Sequence, residues 1–120
     1  MDRNFARLKM IVVSKFMVPK GYIGLTIYPF VFIKEHNLKD NQRFLNHELI
    51  HLRQQLELMI IPFFIWYIIE FIFRYFQYGN WKLAYRNISF EREAYFKEND
   101  LTYLKNRGFW RFMKYIYFKT

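Results

Sequence analysis

The sequence predicts an α+β fold, mostly helical, with a small β-sheet or hairpin. Three observations predict it. Residues 24–35, GLTIYPFVFIKE, are β-branched and aromatic without a helical repeat, which is strand composition. From residue 41 onward the chain instead carries long apolar-polar segments bounded by helix caps and stops. Finally, 120 residues at 53% hydrophobic and 24% charged suffice for one core but not two, so residues 1–120 read as one domain and not as a disordered chain.

The elements follow in order. Residues 1–18, MDRNFARLKMIVVSKFMV, begin like a signal peptide, with basic residues before a short apolar run. Lys15 interrupts that run and no small-residue cleavage site follows. The segment is therefore read as a helix or strand of the domain, and the chain as cytoplasmic. Its apolar pattern over 5–18 has no clear period. Pro19, Lys20 and Gly21 make a turn. Residues 24–35 then form a strand or a bent pair of short strands. Pro29 lacks a backbone donor, which places this strand at a sheet edge.

Asp40 or Asn41 can cap a helix that runs to about Met59. Pro62 stands near the start of a second helix, PFFIWYIIEFIFRYF, where its missing N–H is harmless. That helix ends at the QYGN turn, residues 77–80, and a short segment WKLAYRN follows. Ser89 can cap a last main helix, SFEREAYFKENDLTYLKNR, stopped by Gly108. The tail, GFWRFMKYIYFKT, mixes aromatics with Arg111, Lys114 and Lys119.

Net charge and composition narrow the partners. A charge of +9 suits an anionic partner such as lipid headgroups, nucleic acid or acidic peptides. The basic residues are scattered, and no zinc-finger, helix-turn-helix or RNA-binding signature is present, which sets nucleic acid aside. With no cysteine there are no disulfides and no thiolate ligands. From Leu58 to Ile69 twelve residues are apolar in a row, short of the ~20 that a membrane span needs. A helix apolar nearly all round reads as one buried in the core. The competing reading is a segment lying at a membrane surface, which the aromatic and basic tail from Phe109 to Lys119 also suits. Peripheral membrane contact is thus a candidate interaction.

The stretch LNHELIHLRQQ, residues 45–55, carries the chemistry. His47 and His51 stand four apart, on one face of a helix and one turn from each other. Two imidazoles so placed can aim at one tetrahedral metal ion, zinc above all. Glu48 lies roughly 100° around the axis, where its carboxylate reaches a water on the metal and not the metal itself. A catalytic zinc needs a third protein ligand. No third His follows, since residues 52–60 read LRQQLELMI. The acids available are Glu57, Glu70, Glu91, Glu93, Glu98 and Asp100. Glu57 is too close on the same helix to fold back. Glu70 has Arg74 at i+4 and reads as an internal ion pair. That leaves residues 89–98, where Glu91 and Glu93 flank an apolar stripe of Phe90, Ala94, Leu101 and Leu104 on opposite edges. Periodicity alone does not choose between them.

These residues resemble a known family. H-E-x-x-H followed on a later helix by E-x-x-A looks like a gluzincin, specifically one of the very small minigluzincins. The likeness covers residues 24–106. Glu91-Arg92-Glu93-Ala94 aligns Glu91, not Glu93, with the family's third zinc ligand. The lead-in RNISFEREA resembles the usual N-x-x-E entry. The Asp that commonly follows the Ala and orients a zinc-bound His is Tyr95 here, so a phenol or a backbone carbonyl would take that role. The resemblance implies a zincin-like domain whose edge strand, within residues 25–33, runs beside the active-site helix and pairs with a peptide substrate. It implies zinc held by His47, His51 and Glu91, with Glu48 as general base. Tyr95, Arg86 and His36 are the candidate oxyanion donors. The expected function is a zinc metallopeptidase acting on a peptide or protein. The alternative is an inactive zincin-fold module for binding or for a membrane surface.

Overall fold

A computed structural model describes residues 10–119. Three short strands form one sheet: β1 (Ile11–Val13), β2 (Gly24–Ile27) and β3 (Phe30–Ile33), in the order β1-β3-β2. β1 runs parallel to β3, and β2 pairs antiparallel with it. The expected strand over 24–35 is thus a hairpin, a bent pair of strands. Pro29 lies in its turn after a cis Tyr28–Pro29 bond, not within an edge strand. The N-terminal segment supplies strand β1; its residues 1–9 lie outside the described residues.

Five helices follow: α1 (Gln42–Glu57), α2 (Ile61–Tyr78), α3 (Trp81–Arg86), α4 (Ser89–Lys97) and α5 (Tyr103–Asn106). Short 3-10 turns cover His36–Asp40 and Arg111–Ile116. Of the two proposed caps for α1, Asn41 serves: its side chain accepts from the N–H of Phe44 at 3.0 Å. α1 stops where Met59 and Ile60 turn to positive φ and the Ile60 N–H closes on the Gln55 carbonyl at 2.7 Å. The chain then bends by 111° into α2.

The long helix expected over 89–107 is interrupted. Asn46, on α1, donates its side-chain amide to the carbonyls of Lys97, Glu98 and Asp100. It thereby satisfies the carbonyls that the ending of α4 leaves free. Asp100 then accepts from the backbone N–H and hydroxyl of Thr102, starting α5. Ser89 does not cap α4 either; it is the first helical residue. Glu70, reaching from α2, accepts from the Ser89 N–H at 2.6 Å and the Ser89 hydroxyl at 2.7 Å. A carboxylate there both satisfies an orphan donor and meets the positive end of the helix dipole.

Two cores hold these elements. Val31, Ile33, Leu45, Leu49, Ile50, Ala94 and Leu104 pack the sheet against α1, α4 and α5. Leu58, Phe63, Ile88, Phe90 and Phe112 pack α2 against α4 and the tail. Ala94 is wholly buried, its small side chain matching the close passage of α4 across α1. Full burial of α2 does not occur. Phe63, Glu70 and Arg74 are buried, whereas Ile65, Ile69, Phe73 and Phe76 face outward. The reason is shape: α4 and the tail cover only one side of the helix. Among the described residues no single helix is long and apolar enough to cross a membrane.

Candidate metal centre

α1 buries an unusual set of polar side chains: Asn46, His47, Glu48, His51, Gln54 and Gln55. Such groups are stable inside only when hydrogen-bonded, and the bonds they make build the site.

His47 Nε2 and His51 Nε2 lie 3.2 Å apart. Glu91 Oε1, from the first turn of α4, lies 3.4 Å from the former and 3.3 Å from the latter. The three residues form a buried group able to hold a metal ion. Glu93, the other edge of the same helix, points elsewhere: it bonds Arg107, the Tyr103 hydroxyl at 2.6 Å and the Gln54 amide at 2.9 Å. Two residues, roughly 200° around the helix axis, separate the acid facing the imidazoles from one locked in a structural ion pair. Arg107 also holds Glu57 at 2.6 Å.

Each of the three has its far atom tied to a partner. His47 Nδ1 lies 2.9 Å from Glu98 Oε1. A carboxylate only accepts, so Nδ1 carries a proton, and in the neutral imidazole Nε2 presents the lone pair. His51 Nδ1 lies 2.8 Å from Gln54 Oε1. The Gln54 amide is oriented by donating its Nε2 to the Phe90 carbonyl and to Glu93, so its oxygen must accept from His51. Tyr67, on α2, donates its hydroxyl to Glu91 Oε2 at 2.7 Å, leaving Oε1 toward the imidazoles. Partners of this kind set ligand tautomer and orientation.

The electrostatics match. Burial disfavours the charged form of His47, yet hydrogen bonds and attraction from Glu91 and Glu98 push its pKa up to about 10. His51 is also raised against the cost of burial, by Glu91. Burial acts to raise Glu91, and the two histidines overcome it and hold its carboxyl well below the usual range. Without a cation, the cluster keeps protons where a cation's positive charge would otherwise sit.

Glu48 lies beside this group. Its Oε1 accepts from the Thr26 hydroxyl at 2.5 Å. A Cβ at Gly24 would lie 3.3 Å from Glu48 Oε2 and 2.5 Å from the Phe44 ring, so only glycine lets β2 come this close to α1. A pocket of about 160 Å³ lies between Leu25, Phe63, Phe64 and Tyr67 and is floored by Glu48, His51 and Glu91. A second, of about 240 Å³, meets it at Tyr22, Gly24, Glu48 and Tyr85 and is more polar, with Asn41, Arg43 and Glu98. β2 edges this cleft. Gln55 closes part of that edge, taking the Thr26 carbonyl at 2.7 Å and the Tyr28 N–H at 2.6 Å. In an antiparallel pair alternate residues face away from the partner strand, so the backbone groups of Gly24 remain on the open side.

Tyr95 packs its ring edge-on against His47, centroids 4.5 Å apart, and its hydroxyl meets that of Tyr85 at 3.3 Å. It does not hydrogen-bond the imidazole; Glu98, one turn further on, does. Arg86 stacks on the Tyr95 ring at 4.1 Å. His36 is exposed on the 3-10 turn before α1 and lines neither pocket. Sequence reasoning missed Gln54, Tyr67 and Tyr85, and it counted Glu98 among the candidate ligand acids where the structure makes it the partner of His47. A signal for the first was present: positions 47, 51, 54 and 55 have the spacing of a buried helix face, yet all four are polar.

No protein-family model, curated protein or solved structure matches this chain.

Proposed function

We propose that the chain is a zinc-dependent metallopeptidase of gluzincin type, with a zincin-like arrangement of β2, α1 and α4. The observation that carries the reading is the triangle of ligand atoms, with sides of 3.2, 3.3 and 3.4 Å. Four ligands at zinc's usual distances of ~2.0–2.1 Å, tetrahedrally arranged, are ~3.3–3.4 Å apart. Two neutral imidazoles and one carboxylate, with a fourth position left to solvent, are also the donor set of a catalytic zinc and not of calcium or magnesium. His47, His51 and Glu91 would hold the ion. Bound there, zinc lowers the pKa of a coordinated water toward ~7 and polarises a carbonyl.

The chain's own residues do the rest. Glu48, aimed by Thr26, takes the proton from the attacking water and returns it to the leaving amine. The open backbone groups of Gly24 hold an extended peptide by strand addition. The pocket between Leu25, Phe63, Phe64 and Tyr67 accepts a large apolar side chain. Tyr85, which lines both pockets, would offer its hydroxyl to a developing oxyanion.

The test is metal analysis of gently purified protein combined with Glu48→Gln. About one zinc per chain, retained in the variant while cleavage of an unstructured protein such as casein disappears, is the expected result. Stoichiometric zinc without cleavage by the wild type points to the inactive binding module. Absence of zinc ends both readings.

A further inference from the structure

α2 orients its side chains in the reverse of a water-facing helix. It contains two charged residues, Glu70 and Arg74, and both are buried. They pair with each other at 3.4 Å and are further bonded to Ser89, Trp66, Gln77 and the Ile116 carbonyl. Outward, Ile65, Ile68, Ile69, Ile72, Phe73 and Phe76 are 49–84% exposed. Their spacing of three and four makes one continuous stripe. The stripe extends onto the C-terminal turn, because Ile116 shares a shallow groove with Ile65, Ile69 and Phe73. There the exposed residues are aromatic and basic: Trp110, Arg111, Lys114, Tyr117 and Lys119. Between residues 58 and 90 the only acid is Glu70, and none follows Asp100.

The geometry points to a docking surface for a lipid bilayer rich in anionic headgroups, with α2 lying in the membrane plane and the tail at headgroup level. Large uncharged patches on a protein surface mark binding faces. A helix of this kind sinks its apolar stripe into the acyl boundary while basic residues hold the headgroups and Trp and Tyr sit at the interface. Charge decides the occupant. Two copies joined through this stripe would bring the same basic tails together, whereas an anionic bilayer complements them. α2 also bounds the pocket beside the metal group through Phe63, Phe64 and Tyr67, so the proposed bilayer face and the cleft lie on opposite sides of one helix. The assignment does not depend on the metallopeptidase reading, since no metal ligand faces the bilayer.

The test is flotation of the full-length chain with vesicles of phosphatidylcholine alone and with added phosphatidylglycerol, with and without chelator. The expected result is binding to the anionic vesicles that weakens with salt and ignores the chelator. Combined Ile65→Asn, Ile69→Asn and Phe73→Asn should lower the affinity by roughly tenfold per side chain withdrawn from lipid. Lys114→Gln and Lys119→Gln should each lower it about fivefold. All five positions are exposed, and circular dichroism checks that the fold is kept. Failure of the wild type to float, or apolar variants that float as well as it does, overturns the proposal. So does a wild-type dimer that those substitutions dissociate and that leaves vesicles alone, which would assign the stripe to a second copy.

Discussion

Glu98 Oε1 stands 2.9 Å from His47 Nδ1. The acid that fixes this histidine therefore comes from the very end of α4, not from position 95, and Asn46 holds it there by binding the carbonyls of Lys97, Glu98 and Asp100. Glu98→Ala should weaken zinc affinity by about 10- to 100-fold, measured by competition with a chromophoric chelator. Tyr95→Phe, which keeps the ring against His47, should leave it nearly unchanged. Arg43, exposed and 3.0 Å from Glu98, is a surface partner, and Arg43→Ala should change little.

Tyr67 and Tyr85 divide by role. Tyr67 touches Glu91, so Tyr67→Phe should lower zinc affinity. Tyr85→Phe should leave zinc content intact and lower kcat by about 10²-fold or more, as the loss of an oxyanion donor does. Parallel metal analysis and steady-state kinetics on a peptide with an aromatic residue at the cleaved bond separate the two.

The titration of the site has a definite sign. In chelator, His47 is raised from its ordinary 6.5 to about 10. Its contribution to stability is complete below pH 6.5 and is lost as pH rises toward 10. Glu91 is lowered from its ordinary 4.5, so its contribution is present above pH 4.5 and lost as pH falls below that value. Metal-free protein should thus draw most from this cluster between about pH 4.5 and 6.5. A metal ion held by this group would displace the proton, so metal affinity should rise with pH and binding at pH 7 should release protons. Thermal melts with and without zinc, and calorimetry in buffers of different ionisation enthalpy, check both signs.

Glu70 caps α4 from another helix while pairing with Arg74. Glu70→Ala leaves Arg74 buried without its carboxylate and the α4 N-terminus without its acceptor. The expected loss is about 3–5 kcal/mol, read from urea unfolding. Because α4 carries Glu91, zinc affinity should fall with it. A cost under about 1 kcal/mol would show that water replaces the cap.

Much was legible in the chain. The convergence of the two histidines was readable because α-helical geometry makes spacing four a spatial relation. The strand composition of 24–35 marked the hairpin, and the ion pair of Glu70 with Arg74 followed from the same periodicity. Other features depend on contacts between distant segments. Whether Glu91 or Glu93 faces the imidazoles depends on the rotation of α4 about its axis, which Arg107, Tyr103 and Glu70 fix from elsewhere. The break after Lys97 is made by an amide on α1. Which side of α2 is covered depends on where α4 and the tail lie, and uniform hydrophobicity carries no such direction. Local patterns of residues thus determined the helices, the hairpin and the shared face of His47, His51 and Gln54. Only the packing of distant segments selected which acid faces the imidazoles and brought Tyr67 and Glu98 to the group, because a hydrogen bond spanning 24 or 51 residues leaves no periodicity in the sequence.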